Sequence, residues 1–213
     1  MGNNLMLNIP FARQINNCTC GAACLQMIFS YYGISCDQRD IFNAIQTPDQ
    51  SGNAPYCDLA KMVLSSNNLG IACAGVVPKE PASFLKFCLK SDISVILLFH
   101  RDKNSLLGHF GVLTGAEKNL VYIHDPFIDN GANSAYLISE FISQHMKRKE
   151  SSNRNDDIGL SYSMLLFTPP ALSSECASVT CRDCGASFPI MAKVAQKVDQ
   201  ILCPYEDAWK PIG

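Results

Sequence analysis

The stretch QINNCTCGAACLQMIFSYYG, residues 14–33, decides how the rest of the chain is interpreted. It places Cys20 on a glycine-containing turn directly before an apolar run, whose side chains recur at steps of four from Ala23 to Tyr31 and predict a helix that Gly33 ends. The unpaired amides at a helix N-terminus favour negative charge, which is one way to lower the pKa of a cysteine. Cys20 is therefore a candidate nucleophile on a rigid element, while a thiol packed in the core remains the alternative.

The composition limits the classes of protein to consider. The 213 residues are enough for one sizeable domain or for a domain with a small appendage. With 47% hydrophobic residues, 17% charged residues and a net charge of -2, nothing predicts nucleic acid or a membrane as a partner. The N-terminus lacks the pattern of a secretory signal. The eleven cysteines are an odd number and most lie in apolar patterns, so the sequence predicts a cytoplasmic protein without a disulfide scaffold.

Along the chain, helical patterns come first and strand patterns follow. Asp37 and Asp58 are predicted to cap the second and third helices, and Pro81 to begin a fourth. The predicted strands are an edge strand at 5–11 and further strands at 71–77, 93–99, 109–114, 120–124 and 160–167. The other predicted segments are a loop at 47–56, a helix at 137–146 and a solvated polar loop at 147–157. This order predicts an α+β fold with an antiparallel sheet.

The composition changes after Pro169 and Pro170, where the sequence predicts a boundary. Residues 1–170 form the predicted main domain, and residues 171–213 form a small cysteine-rich appendage. We expect this tail to be a docking site for a protein partner.

The tail also contains a candidate metal site. Cys181 and Cys184 have the spacing of a zinc knuckle, and Cys203 resembles the start of a second one. The fourth ligand position of such a pattern is held by Glu206, with Asp207 and Cys176 as alternatives. The prediction is a structural zinc ion held by Cys181, Cys184, Cys203 and Glu206, against a metal-free remnant or a redox pair.

A thiol nucleophile needs a base, usually histidine, and a group that orients this base. The four histidines of the chain are His100, His109, His124 and His145. His109 differs from the others because it follows Gly108 at the start of a predicted strand, among small residues that let another segment approach. Asp125 ends the paired strand, where it can reach the ring of His109 across the hairpin, and a buried carboxylate needs such a partner.

These residues together resemble the papain-like cysteine peptidases of the C39 group. The resemblance covers residues 8–168 and rests on Gln14, on Cys20 with the Gly-Ala-Ala that follows it, on Gly108 before His109, and on Asp125 before Pro126. It implies a papain-like fold, with N-terminal helices packed on an antiparallel sheet. It also implies Cys20 as the nucleophile, His109 as the base, Asp125 as the group that orients the base, and Gln14 as a donor of the oxyanion hole beside a backbone amide. Catalysis of this kind requires no cofactor, and the substrate is a peptide or a protein.

The sequence departs from the family pattern just before the cysteine, where the family often has an acidic residue and this chain has Thr19. Cys18 and Cys24 are rival nucleophiles, and Cys20 is favoured because it directly precedes the glycine at the helix start.

The predicted function is a cysteine peptidase that cleaves peptide or isopeptide bonds through a thioester. The alternatives are an acyltransferase with the same triad and a non-catalytic peptide-binding or adaptor module with the same fold.

Overall fold

The computed structural model of the chain describes residues 5–48, 54–102, 108–147 and 161–212. The helices are α1 Cys20–Tyr31, α2 Gln38–Ile45, α3 Leu59–Asn68, α4 Pro81–Lys90, α5 Ile138–Glu140 with a π-helix at Phe141–Met146, a 3₁₀-helix at Pro170–Glu175, and α6 Ala192–Ala195. The strands are β1 Leu5–Met6, β2 Gln46–Thr47, β3 Tyr56–Cys57, β4 Cys73–Pro78, β5 Ser94–Phe99, β6 His109–Glu117, β7 Leu120–His124, β8 Ser134–Leu137, β9 Met164–Phe167, β10 Cys176–Thr180, β11 Ser187–Met191, β12 Val198–Cys203 and β13 Ala208–Pro211.

The helix starts follow the predicted capping signals. The side chain of Asp37 accepts a hydrogen bond from the amide of Arg39 at 2.8 Å, and that of Asp58 accepts one from the amide of Lys61 at 3.0 Å. Pro81 lies in the first turn of α4, where its missing N–H costs no helical hydrogen bond. These three predictions are confirmed, and so is the end of α1 before Gly33.

The strands form one large antiparallel sheet. Within the described residues, nine strands belong to it in the order β13-β12-β4-β9-β5-β6-β7-β8, with β1 pairing along the far end of β6. Every residue of β4, β5 and β9 is buried, which explains why the central strands are continuous apolar runs. The apolar helix α1 packs against β6 and α2, so the N-terminal helices cover the sheet beside the start of β6. The α+β prediction with an antiparallel sheet is confirmed.

Several boundaries differ from the predictions. The edge strand is limited to Leu5–Met6, and the predicted helix at 137–146 continues from Phe141 as a π-helix. The last predicted strand of the main domain starts at Met164, because Tyr162 takes a left-handed φ of 65° that interrupts extended backbone. The ends of the predicted loop at 47–56 pair as β2 and β3. The predicted polar loop at 147–157 lies outside the described residues except for Lys147.

The tail contributes strands to the large sheet. Strands β10 and β11 form a separate hairpin, whereas β12 pairs with β4 and β13 pairs with β12. The division of the chain at residue 170 remains a prediction. None of the helices in the described ranges combines the length and the apolar character needed to cross a bilayer.

Candidate active site

Cys20 is the first residue of α1, as the sequence predicts. The first amides of a helix have no acceptor within the helix, so the amide of Cys20 is available to a ligand. Three groups beside the Cys20 thiol lower its pKa: the thiol of Cys57, the ring of His109 and the amide of Phe110. A sulfur in this position is surrounded by donors, and donors stabilise the thiolate.

Cys57 is packed against the start of α1 and takes the place of a capping side chain. Thr19, at the N-cap position, makes no side-chain capping hydrogen bond. Instead, the sulfur of Cys57 faces the amides of Gly21 and Ala22, and its S–H donates to the carbonyl of Cys18, with 3.3 Å between sulfur and oxygen. A Cβ on Gly21 would lie 2.7 Å from the Cβ of Cys57, so only glycine permits this approach.

His109 links the thiol to a carboxylate. Its Nε2 lies 2.8 Å from Oδ1 of Asp125, which leaves Nδ1 to face the sulfur of Cys20. The imidazole ring makes edge contacts with Phe99 and Phe127, with ring centroids at 5.3 Å and 6.3 Å. His109 therefore stands between the thiol of Cys20 and the carboxylate of Asp125, and the aromatic contacts limit how the ring can turn.

The pKa values of the three groups shift in the directions of an ion pair. The contact with Cys57, followed by the contact and charge of His109, outweighs burial and holds the pKa of Cys20 well below its ordinary value. Burial lowers the pKa of His109, but the hydrogen bonds and charges of Asp125 and Cys20 outweigh this effect and raise it. Burial raises the pKa of Asp125, and the His109 contact reverses this to a net decrease. The arrangement favours a thiolate beside an imidazolium.

Asp125 is held at both carboxylate oxygens. Besides His109, Oδ1 accepts from the amide of Phe127 at 3.0 Å, and Oδ2 accepts from Nε of Arg101 at 3.1 Å. The guanidinium of Arg101 also lies over the ring of Phe127, 3.9 Å from its centroid. These contacts keep the carboxylate ionised and fixed in orientation, as a group that orients a histidine requires.

Gln14 is buried and lies against the loop that follows Asp125. Its backbone amide donates to the carbonyl of Pro126 at 2.9 Å, which ties it to the loop that follows Asp125. Its Nε2 donates to the carbonyl of Asn16 at 2.6 Å, and its Oε1 has no hydrogen-bond partner among the described residues. Gln38, at the start of α2, fixes the segment on both sides of Gln14: its Nε2 donates to the carbonyl of residue 13, and its Oε1 accepts from the amide of residue 15, both at 2.9 Å.

The rival cysteines and histidines have other surroundings. Cys24 is completely buried, and burial raises its pKa well above the ordinary value. The amide and the carbonyl of Cys18 bind Asn16 and Cys57 in the turn before α1. Both ring nitrogens of His124 are bonded to backbone, with Nε2 2.9 Å from the carbonyl of Ile9 and Nδ1 2.9 Å from the amide of Asn133. Nδ1 of His145 lies 2.7 Å from the carbonyl of His100.

Sequence reasoning missed three residues of this site: Cys57, Arg101 and Gln38. Cys57 and Gln38 carry no local signal, because their contacts join segments that are far apart in sequence. Arg101 had a weak signal, since it is a charged residue directly after the buried strand β5.

The four predicted metal ligands of the tail also lie together. One potential ligand atom from each of Cys181, Cys184, Cys203 and Glu206 lies within 4.8 Å of the others. The alternative Cys176 instead begins β10, where it pairs with Met191.

Comparisons with known proteins agree with this fold. A search of curated protein sequences found no match. Three solved structures are similar over most of the chain. They are a double glycine motif protease from an AMS/PCAT transporter in complex with its leader peptide (20% identity, TM-score 0.53, 77% of this chain and 94% of that chain), a C39-like peptidase from Bacillus anthracis (15%, 0.56, 78% and 98%), and the peptidase domain of Streptococcus ComA, a bifunctional ABC transporter (16%, 0.54, 76% and 99%). At these identities the likeness concerns the fold alone. The sequence model of the Peptidase C39 family matches residues 8–147, which is more than half of the chain, and the chain therefore belongs to this family of cysteine peptidases.

Proposed function

We propose that this protein is a cysteine peptidase that cleaves a peptide or isopeptide bond through a thioester intermediate. The observation that carries the proposal is the hydrogen bond of His109 to Asp125, together with the His109 ring beside the Cys20 thiol, whose pKa it lowers. A nucleophile, a base and an orienting group within hydrogen-bond reach are the parts that this reaction needs.

In the first half of the reaction, the Cys20 thiolate attacks the carbonyl carbon of the scissile bond. The oxygen that gains the negative charge accepts hydrogen bonds from the amide of Cys20 and from the proton of Gln14 Nε2 that is not donated to Asn16. Nδ1 of His109 gives its proton to the leaving amine as the C–N bond breaks, which produces the thioester. Nε2–H of His109 stays on Asp125 throughout.

In the second half, Nδ1 of His109 removes a proton from a water molecule, which attacks the thioester. Collapse of the intermediate releases the carboxylic acid and regenerates the Cys20 thiolate beside the imidazolium. The same thioester would pass to an amine or a thiol if one entered before water, so an acyltransferase differs from a peptidase only in the second nucleophile.

The surroundings of the triad support a peptide as the substrate. Large apolar side chains are exposed directly beside Gln14 and Asp125 in the sequence: Ile15 at 51%, Phe127 at 41% and Ile128 at 37%. Exposed apolar groups next to a catalytic centre are suited to substrate side chains. The similar AMS/PCAT protease was solved in complex with the leader peptide, which supports the same class of ligand here.

We also infer a cytoplasmic setting. All eleven cysteines lie within the described residues and are free thiols, and several are buried in the core. Free thiols in this number are typical of proteins kept in a reducing compartment.

The test uses a complex peptide library prepared from digested proteins, including branched peptides with isopeptide bonds. After incubation with the protein, we expect new N-termini or released branches, identified by mass spectrometry, with the wild type and with Cys18→Ala, but not with Cys20→Ala. An added amine acceptor separates transfer from hydrolysis, because transfer yields an amide product and lowers the yield of the carboxylic acid. Equal cleavage by Cys20→Ala contradicts the assigned nucleophile. Retention of peptides by both wild type and Cys20→Ala, with no turnover by either, would establish the non-catalytic module instead.

A further inference from the structure

The tail contains two turns of the same construction, CRDCG at residues 181–185 and CPYED at residues 203–207. In each turn the amides two and three residues later face the sulfur of the first cysteine, namely Asp183 and Cys184 in the first turn and Tyr205 and Glu206 in the second. In each turn the fifth residue has a left-handed φ, 74° at Gly185 and 47° at Asp207. The two turns thus share a backbone pattern, and Glu206 occupies the position of Cys184.

From this construction we propose that Cys181, Cys184, Cys203 and Glu206 bind one zinc ion in a tetrahedral structural site. The proposal concerns a part of the chain outside the candidate active site and does not depend on the proposed peptidase activity.

The separations between the ligand atoms fit a tetrahedron. With Zn–S bonds of about 2.3 Å and a Zn–O bond of about 2.0 Å, a tetrahedral site has S···S edges of about 3.8 Å and S···O edges of about 3.5 Å. The sulfurs of Cys184 and Cys203 are 3.7 Å apart, and the sulfur of Cys181 lies 3.5 Å from Oε2 of Glu206. These two pairs share no atom, so they are opposite edges of the tetrahedron. The remaining pairs all lie within 4.8 Å.

The donor set selects the metal. Three thiolates and one carboxylate suit zinc, whereas calcium and magnesium prefer oxygen ligands in larger number. Four protein ligands fill a tetrahedral shell and leave no position for substrate, which makes the site structural. A redox pair of Cys184 and Cys203 would not account for the third thiol and the carboxylate beside them.

The surroundings of the cluster compensate its charge. Three thiolates and a carboxylate exceed the charge of a zinc ion by two. The ammonium group of Lys210 in β13 lies 2.9 Å from Oε2 of Glu206 and also pairs with Asp183. The four backbone amides that point at the sulfurs add further donors, and such outer-shell contacts orient the ligands of a metal.

The ion would join two parts of the tail. Cys181 and Cys184 lie in the turn between β10 and β11, and Cys203 and Glu206 lie in and after β12, which pairs with β4 of the large sheet. Zinc would therefore fasten the β10–β11 hairpin to the sheet.

The first experiment uses the full-length wild type, reduced, stripped with a chelator and then supplied with Zn²⁺ or Co²⁺ alone. We expect one zinc ion per chain by elemental analysis after removal of unbound metal. We expect the cobalt form to show the strong visible bands of tetrahedral coordination together with thiolate-to-metal charge transfer. X-ray absorption of the zinc form should give three sulfur neighbours and one oxygen. Substoichiometric zinc in fully reduced protein, or the weak visible bands of octahedral cobalt, would overturn the proposal.

Variants then test the ligands. Cys184 is exposed, so Cys184→Ser should fold and should lose zinc on dialysis. Glu206→Gln should weaken zinc binding by more than the roughly 10–100-fold that loss of an outer-shell contact costs. The matched controls Cys176→Ser and Asp207→Asn should keep one zinc ion. Loss of zinc by Cys176→Ser, or unchanged affinity in Glu206→Gln, would show that the ligand set is wrong.

Discussion

Replacement of His109 by alanine should raise the pKa of Cys20 in a measurable way. The variant removes one charge-assisted hydrogen bond to the thiolate and leaves the Cys57 contact and the Phe110 amide in place. A hydrogen bond to a charged group contributes about 1.5–3 kcal/mol, and one pKa unit corresponds to about 1.36 kcal/mol. We therefore expect the pKa of Cys20 to increase by about one to two units in His109→Ala. Cys57→Ala, which removes the other side chain that lowers the pKa of Cys20, should increase this pKa as well.

The assay is the rate of alkylation by iodoacetamide as a function of pH, followed at Cys20 by peptide mass mapping. The tryptic peptide 14–39 also contains Cys18, Cys24 and Cys36, so fragment ions must localise the label. The midpoint of the pH curve is the quantity to compare, because a thiolate of higher pKa is also intrinsically more nucleophilic. His145→Gln, a histidine variant outside the triad, serves as the matched control and should leave the midpoint unchanged. A midpoint in His109→Ala equal to that of the wild type, or an equal shift in His145→Gln, would refute the ion pair.

Three further predictions follow from contacts of the site and of the sheet. Asp125→Asn removes the contact that raises the pKa of His109. Activity is lost with rising pH as the imidazolium gives up its proton, so we expect this loss to occur at lower pH in the variant. The pH profile of peptide cleavage tests this, and an alkaline limb at the same pH would contradict it. Gln38→Leu removes the two hydrogen bonds that hold the segment around Gln14. We expect kcat to fall toward the roughly 10²–10³-fold loss expected for an oxyanion-hole donor, as in Gln14→Ala, while the alkylation midpoint of Cys20 stays unchanged. Steady-state kinetics of the two variants test this, and a change in KM alone would contradict it. A fragment ending at residue 170 lacks β12 and leaves the edge of β4 exposed, so it should aggregate in light scattering where the full chain stays monodisperse; a stable monomeric fragment would instead support an independent main domain.

Local patterns in the sequence predicted only those parts of the site that depend on helix starts and strand pairing. Cys20 at the start of α1 and the pairing of His109 with Asp125 across a hairpin follow from helix and strand periodicity, and the structure brings both together as expected. Cys57 and Gln38 were missed because their contacts are set by the packing of α1 against β3 and α2, and no short pattern encodes such packing. The same reason applies to the tail, whose strand β12 joins β4 from more than a hundred residues away. The π-helix after Phe141 and the left-handed Tyr162 likewise depend on tertiary packing and have no signature in composition.

The buried charges of the site favour an enzyme over a non-catalytic binding module, because they reduce stability without a benefit to peptide binding. Asp125 and His109 are buried, and burial alone disfavours the charged form of each. The partners restore the charges, but a buried ion pair is often less stabilising than apolar side chains of similar size. A module that only held a peptide in this cleft would gain stability from apolar residues at these positions. Chemistry provides a reason for the charges, because a preformed thiolate and imidazolium are needed only where a bond is broken. The conflict between local stability and buried charge at His109 and Asp125 is therefore the feature expected of a catalytic centre.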